Sequence, residues 1–188
     1  NTFVVGITGN FDDAQTGVKQ IFGDKELASY MNEKGFQFSS ANSINIGRLV
    51  PQIVYYVYAY VKLLEEDKVQ SGEKINVVVP TGNFGNILAA FYAKQMGLPI
   101  DKLICASNEN MGLFDFFTSG THDRNREFVL TSSPSMDILI SSNLERLIYR
   151  IAGNDPVKNQ DMMNALKTAG KYSITEEMKS ELSDFYGN

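Results

Sequence analysis

Short apolar runs and helical stripes alternate along the chain, and this pattern predicts an α/β fold. The runs at residues 2–7, 77–79 and 103–106 are rich in aliphatic side chains, as buried strands are. Several of the stretches between them place apolar residues three and four positions apart, which is the helical period. We therefore expect helices packed against a mostly parallel sheet.

The middle of the chain predicts a strand, a tight loop and a helix. Pro80 stops the strand formed by residues 77–79. Gly82 and Gly85 then allow backbone angles and close approaches that a β-carbon would block. Residues 87–94 are mostly good helix formers, so the loop opens onto a helix N-terminus with free amide donors. Such a loop suits a phosphate, although similar glycine spacing also occurs in strand-to-helix turns that bind nothing.

A long amphipathic helix is predicted to end near Leu64, with most of its apolar and aromatic residues in the core. Because Pro51 would clash with the carbonyl of Gly47, this helix either starts near Arg48 or is kinked there. Its apolar positions are Leu49, Val50, Ile53, Val57, Tyr60, Val61 and Leu64, and its aromatic side is made by Tyr55, Tyr56, Tyr58 and Tyr60.

Polar groups gather just before this helix. Asn42, Ser43 and Asn45 lie at or before its start, and Arg48 follows closely. Amide, hydroxyl and guanidinium groups near a helix start suit a second phosphate, with Arg48 as a bidentate donor. The alternative is an ordinary Asn or Ser N-cap with an exposed Arg48.

The remaining patterns predict ordinary structural elements. Near the start of the chain, Asp12 or Asp13 is expected to cap one helix, and residues 26–34 form a second. Cys105 is expected to be a small core residue because it lies within an apolar run. His122 is expected in a solvated loop.

Towards the end of the chain, three helices are predicted after Leu144, the last of them over residues 175–185. Polar residues that follow the strand at 103–106 stand at its carboxyl end, where α/β sheets keep their ligand sites. These candidates for lining a ligand cleft are Ser107, Asn108, Glu109 and Asn110.

Composition narrows the function classes. The formal charge of -5 and pI near 4.9 argue against a nucleic-acid surface, which needs clustered basic residues. A single cysteine excludes an internal disulfide and suits a reducing, cytoplasmic setting. No apolar run is long enough for a membrane span, and one histidine without spaced partners predicts no metal site. We expect one domain over residues 1–188, beginning inside a larger protein because Asn1 is followed directly by an apolar run.

Two motifs carry a resemblance to a known family. The string PTGNFGN at residues 80–86 resembles the cofactor-phosphate loop of the threonine synthases. The pattern N-S-I-N-x-x-R, present as Asn42, Ser43, Ile44, Asn45 and Arg48, is similar to the segment with which these enzymes hold the substrate phosphate. Further matching strings are G-x-F-D-D-x-Q-x-x-V-K from Gly9, SPSMDI from Ser133 and S-S-N-x-E-R from Ser141.

The resemblance implies a fold-type II pyridoxal-phosphate enzyme, with a three-layer α/β/α fold like that of the tryptophan synthase β subunit, present here in part. It implies a carbon–oxygen lyase that converts O-phosphohomoserine and water to L-threonine and phosphate, as a monomer or homodimer completed by the rest of its own chain. The residues it assigns to the cofactor are Gly82, Asn83, Phe84, Gly85 and Asn86, and those it assigns to the substrate phosphate are Asn42, Ser43 and Arg48.

One part of the family's machinery has no match in these residues. The Schiff-base lysine lies upstream in the family, in a phenylalanine-lysine-aspartate string that does not occur here, and neither does the S-G-D-T-G loop. Lys94 is a poor substitute because it lies more than two turns along the helix. We therefore expect no catalytic residue in this chain and no turnover by it alone.

Three alternative functions remain open at the level of the sequence. A serine or threonine dehydratase of the same fold type could share the glycine loop without needing Arg48. A non-catalytic relative could keep the pocket as a phosphate-binding module. A plain α/β scaffold would bind no anion at all.

Overall fold

The computed structural model describes residues 2–9, 11–42 and 44–187, and only the backbone of residues 11, 12, 186 and 187. The chain divides into two compact units, Asn1–Ser40 and Ala41–Asn188. The expectation of a single domain over residues 1–188 stays a prediction.

The first unit contains two helices, α1 (Phe11–Gly23) and α2 (Lys25–Glu33). Asp24 caps α2 by accepting a hydrogen bond from the Leu27 amide at 2.9 Å, and Gly35 follows the helix with φ +80°. The predicted second helix is thus confirmed. The predicted capping role of Asp12 or Asp13 is wrong, because both residues lie inside the first turn of α1.

The strand predicted at residues 2–7 does not form. Phe3, Val4 and Val5 are 84–91% exposed, and no strand in the described part of the chain pairs with them. A lone apolar run has no ladder to complete its backbone hydrogen bonds, so its composition alone does not make it a strand.

The second unit holds the sheet and the core. Its strands are β1 (Ile75–Pro80), β2 (Ile100–Ala106), β3 (Thr121–Asp123), β4 (Lys171–Ser173) and β5 (Phe185–Gly187). Its helices are α3 (Ile46–Leu49), α4 (Ile53–Glu65), α5 (Gly85–Gln95), α6 (Gly112–Ser119), α7 (Leu144–Ile151), α8 (Pro156–Thr168) and α9 (Glu176–Ser180), with 3₁₀ turns at Val50–Gln52 and Pro134–Met136.

Three strands form a parallel sheet in the order β1-β2-β5, and β3 pairs with β4 in a small antiparallel ladder. Val79 is paired with Cys105 where β1 and β2 run side by side. The predicted parallel sheet is confirmed. The last predicted helix is shorter than expected, because α9 ends at Ser180 and β5 begins at Phe185.

Helix α5 lies at the centre of the core. Ile87, Leu88, Ala89, Ala90, Phe91 and Ala93 are all buried, as expected for a helix that is apolar on every side. It packs against β1, β2, α4 and α7, and the core around it includes Leu103, Cys105 and Leu147. Cys105 is buried as predicted, and burial raises the pKa of its thiol to about 11, so it is uncharged at neutral pH.

Two surfaces that were expected to be buried are exposed. Val78 of β1 is 60% exposed, although its apolar run predicted a strand covered on both faces. In the segment from α3 to α4, Leu49 of α3 and Tyr60 of α4 are buried, but most of the apolar positions face outward. The exposed members are Val50, Val54, Tyr55, Val57, Tyr58 and Val61. The prediction that most of this helix is core is therefore wrong for the chain as it stands.

The prediction for His122 is also wrong. It lies in β3, is only 2% exposed, and packs beside the rings of Phe116 and Tyr172. Its Nδ1 atom has no hydrogen-bond partner among the described residues. Burial first, and the nearby charge of Arg126 second, lower the pKa of His122 from 6.5 to about 4, against the opposing effect of Asp123.

We expect this histidine to make the second unit less stable in acid. The folded state keeps His122 neutral down to about pH 4, whereas an unfolded histidine takes up a proton below about 6.5. Its contribution is therefore complete above pH 6.5 and is lost as the pH falls towards 4, at up to about 1.4 kcal/mol per pH unit. Thermal unfolding of wild type and His122→Phe across this interval tests it. Parallel pH profiles for the two proteins would contradict the prediction.

No helix in the described residues is both long and apolar enough to cross a membrane. Within the same residues, histidine, cysteine and carboxylate side chains form no cluster that could hold a metal ion.

Candidate anion sites at the start of helices α5 and α3

The loop between β1 and α5 forms the first candidate site. Pro80 is the last residue of β1, as predicted, and α5 begins at Gly85. Within the described part of the chain, no hydrogen bond is donated by the backbone amides of residues 83–87. These amides and the positive end of the α5 dipole meet at the loop, which is the arrangement that binds anions in proteins.

A pocket of about 180 Å³ opens at this loop. It is lined by residues 79–87 together with Gln52, and none of these side chains carries a charge. Pockets that enclose a whole drug-sized ligand measure about 300 Å³ or more, so this one suits the phosphate end of a larger molecule. The predicted residues Gly82, Asn83, Phe84, Gly85 and Asn86 all line it.

Phe84 gives the loop its shape. Its φ of +65° lies in the left-handed region, which is costly for a phenylalanine. The side chain is 1% exposed and packs against Phe117 and Phe185, with ring centroids 6.0 Å and 5.7 Å away. Burial of the ring holds the backbone in this conformation. The sequence indicated the two glycines but not this phenylalanine as the left-handed residue.

Gly82 is required by a close approach of two chain segments. A β-carbon at this position would lie 2.9 Å from the backbone oxygen of Ser135 and 3.0 Å from Cδ1 of Ile138. The tight contact is therefore with the neighbouring loop, which packs against the loop of the candidate site.

Asp137 fixes this neighbouring loop through hydrogen bonds. Thr131 donates to it from both its backbone amide (2.9 Å) and its hydroxyl (2.7 Å), and Asn108 and Asn110 donate at 2.7 Å and 3.2 Å. These bonds, the Thr131 amide first, lower the pKa of Asp137. Asn108 and Asn110 thus hold a loop beside the site. The interpretation that they line the cleft itself stays a prediction.

The segment 141–143 contacts the β1–α5 loop as well. The Ser141 hydroxyl donates to the Gly82 carbonyl at 2.6 Å, and the Asn143 amide and side chain donate to the Asn83 carbonyl at 3.1 Å and 2.9 Å. The Ser142 hydroxyl lies 3.3 Å from the Asn83 side-chain oxygen that accepts its hydrogen bond. The structure therefore shows that the start of the S-S-N-x-E-R string holds this loop in place.

Asn86 is held from the opposite side by α4 and the turn before it. The Tyr56 hydroxyl donates to Asn86 Oδ1 at 2.6 Å, and Asn86 Nδ2 donates to Gln52 Oε1 at 3.1 Å. Burial raises the pKa of Tyr56 to about 12, so its hydroxyl stays protonated as a donor at neutral pH. The Asn86 side chain is therefore occupied within the protein, whereas its backbone amide donates no hydrogen bond among the described residues.

The second candidate site lies before α3. Asn45 caps α3 by accepting from the Gly47 amide at 2.9 Å, and Asn42 Oδ1 accepts from the Ile44 amide at 3.1 Å. Arg48 is exposed, and its Nε donates to the Ala41 carbonyl at 3.0 Å. The 3₁₀ turn at Pro51 separates α3 from α4, as the proline predicted. Ser43 lies outside the described residues.

Lys94 takes no part in either site. Its ammonium forms an ion pair with Asp184 at 2.7 Å and donates to the Asp101 carbonyl at 2.6 Å. It lies near the far end of α5 from the loop.

Arg146, for which the sequence predicted no place in a site, joins the two candidate sites. It contacts the Asn143 side chain through Nη1, and its Nη2 donates to the Ile44 carbonyl at 2.7 Å. The S-S-N-x-E-R string was the only signal for it, because its partners are remote in sequence.

Comparisons with known proteins show what this chain is similar to. The chain is 45% identical to human threonine synthase-like 1 over 184 residues (97% of this chain, 25% of the relative) and 41% identical to threonine synthase of Saccharomyces cerevisiae over 187 residues (95% and 35%). The crystal structure of pyridoxal-phosphate-bound threonine synthase from Brucella melitensis superposes with a TM-score of 0.79 at 41% identity, covering 96% of this chain and 37% of that one.

The chain is homologous to part of the threonine synthases. No family model matches it. It spans about a quarter to somewhat over a third of the length of these threonine synthase relatives. The predicted resemblance to threonine synthases and the predicted fold class are confirmed: the structure is α/β with a parallel sheet, present in part, like those of the fold-type II threonine synthases. The site residues stay predictions.

Proposed function

We propose that the full-length protein is a threonine synthase that converts O-phospho-L-homoserine and water to L-threonine and phosphate, using pyridoxal phosphate. The observation that carries this proposal is the β1–α5 loop of a chain homologous to threonine synthases: the amides of residues 83–87 donate no hydrogen bond among the described residues and border a pocket of the size of a phosphate group. The resemblance assigns the cofactor phosphate to Gly82, Asn83, Phe84, Gly85 and Asn86, and the substrate phosphate to Asn42, Ser43 and Arg48.

The residues present fit the phosphate end of the cofactor. The amides of residues 83–87 offer several donors, the α5 dipole adds a positive partial charge, and the lining has no carboxylate to repel an anion. When bound, pyridoxal phosphate supplies the electron sink for the β,γ-replacement. This chain contributes the binding of both phosphates and the orientation of the substrate relative to the cofactor.

The rest of the machinery is proposed to lie in the remainder of the protein. Relatives are about three to four times as long as the matched segment. We propose that their additional part, including the cofactor-binding lysine, packs against the exposed apolar face of α4 and β1. A cytoplasmic monomer or homodimer belongs to the same proposal.

The test is a turnover assay on the full-length protein. With pyridoxal phosphate and O-phosphohomoserine, we expect equal amounts of threonine and inorganic phosphate, and we expect no product from the 188-residue chain alone. A dehydratase would instead release an oxo acid from serine or threonine. Absence of threonine formation by the cofactor-loaded full-length protein would overturn the proposal.

A second candidate is a phosphate-binding relative without turnover, since some relatives are named threonine synthase and others threonine synthase-like 1. Such a protein would bind O-phosphohomoserine and pyridoxal phosphate and leave both unchanged. Binding measured by calorimetry, beside the turnover assay, separates the two.

A further inference from the structure

One guanidinium spans the two candidate phosphate segments. Asn143 is 0% exposed, and its side chain donates to the Asn83 carbonyl of the β1–α5 loop at 2.9 Å. Its Oδ1 accepts from Arg146 Nη1. The other arm of the same guanidinium, Nη2, donates to the Ile44 carbonyl at 2.7 Å, within the segment that precedes α3.

Gln52 forms a second link between the same two segments. Its Nε2 donates to the Arg48 carbonyl at 3.0 Å, and its Oε1 accepts from Asn86 Nδ2 at 3.1 Å. Arg146 and Gln52 therefore connect the segment that contains Arg48 to the loop that contains Asn83 and Asn86. Arg146 is not among the residues that line the loop pocket, so its effect on an anion there is indirect.

We propose that Arg146 and Gln52 are positioning residues that fix the substrate-phosphate segment relative to the cofactor-phosphate loop. The proposal rests on the proposed function of the two segments. The reaction needs the substrate at a defined distance from the cofactor, and both molecules are anchored by their phosphates. A small displacement between the anchors therefore lowers the rate even when each phosphate still binds.

The first test compares Arg146→Ala with wild type in the full-length protein loaded with pyridoxal phosphate. We expect kcat per bound cofactor to fall about tenfold at saturating O-phosphohomoserine, while the Kd values for the cofactor and for inorganic phosphate each change less than threefold. Misalignment without loss of binding separates a positioning role from a merely structural one. If Arg146→Ala instead weakens the binding of cofactor and phosphate and leaves kcat per loaded site unchanged, the proposal is overturned.

Matched variants guard against misfolding. Arg150→Ala removes an exposed arginine one turn further along α7, and we expect it to leave kcat unchanged. The lysine in Arg146→Lys can donate to one of the two partners but not to both, because it lacks the forked donors of a guanidinium. We therefore expect a kcat between those of Arg146→Ala and wild type. Gln52→Leu keeps the approximate size of the side chain and breaks the second link, and a fall in kcat of about threefold is expected. Wild-type kcat in both Arg146→Lys and Gln52→Leu would contradict the proposal.

A readout without turnover is the absorbance of the bound cofactor. Saturating inorganic phosphate is expected to shift this spectrum in wild type through the two links, and the shift is expected to be lost in Arg146→Ala/Gln52→Leu. If the wild-type protein shows the shift but makes no threonine, the proposed function is contradicted and the positioning role is not. An unchanged shift in the double variant overturns the positioning role.

Discussion

Replacing Arg48 with alanine in the full-length protein is expected to lower kcat/KM for O-phosphohomoserine about 100-fold, mainly through a higher KM. The guanidinium is exposed, and among the described residues it donates a hydrogen bond to the Ala41 carbonyl through Nε, so its Nη groups can reach a phosphate. A charge-assisted, bidentate contact to phosphate is worth roughly 3 kcal/mol, which corresponds to this factor. Steady-state kinetics and the Kd for inorganic phosphate measure it.

The same substitution discriminates between function classes. An enzyme acting on an unphosphorylated amino acid does not need Arg48, so retained activity of the alanine variant would favour a dehydratase. Arg48→Lys keeps the charge and loses the fork, and we expect a smaller loss of about tenfold. Thermal unfolding is the control, because one exposed hydrogen bond contributes only about 1 kcal/mol. A large drop in melting temperature would mean that the kinetic loss comes from misfolding.

The cofactor loop was predictable because its signals are local. The apolar run before Pro80, the two glycines and the helix formers after them all lie within about twenty residues. They correctly indicated β1, the loop and α5. Asn45 was placed correctly near a helix start for the same reason, since a cap depends on its own neighbours.

The links around the loop were not predictable because their partners are remote in sequence. Arg146 bonds Ile44 and Asn143 bonds Asn83, and these partners lie 102 and 60 residues apart along the chain. The burial of His122 has the same origin, since β3 is only three residues long and is defined by its pairing with β4. Such short strands fall below what alternation can indicate.

Exposed apolar positions show a different limit. The pattern on α4 reports which residues tend to be buried, and it does not say which segment buries them. Leu49 and Tyr60 are buried within this unit, whereas Val54 and Tyr58 are each 62% exposed. Hydrophobic periodicity therefore predicted the helix correctly and the extent of its burial incorrectly.

Replacing Gly82 with valine is expected to damage both stability and cofactor binding. Its β-carbon would lie 2.9 Å from the Ser135 backbone oxygen, and that oxygen belongs to the neighbouring loop that Asp137 fixes. Neither segment can yield easily, because the Gly82 carbonyl also accepts the Ser141 hydroxyl at 2.6 Å. We expect a loss of about 3 kcal/mol in unfolding free energy, at the upper end for overpacking. Because the loop must shift, affinity for pyridoxal phosphate should fall at least tenfold.

Gly17→Ala is the matched control for this prediction. A β-carbon at Gly17 meets nothing within 4 Å, and the residue lies in the middle of α1. Alanine favours a helix by about 1 kcal/mol over glycine, so stability should be unchanged or slightly higher, with normal cofactor binding. Urea unfolding and cofactor titration of both variants decide the matter. If Gly82→Val binds the cofactor as tightly as Gly17→Ala does, the geometry of this loop does not govern the cofactor, and the assignment of its amides to the phosphate fails.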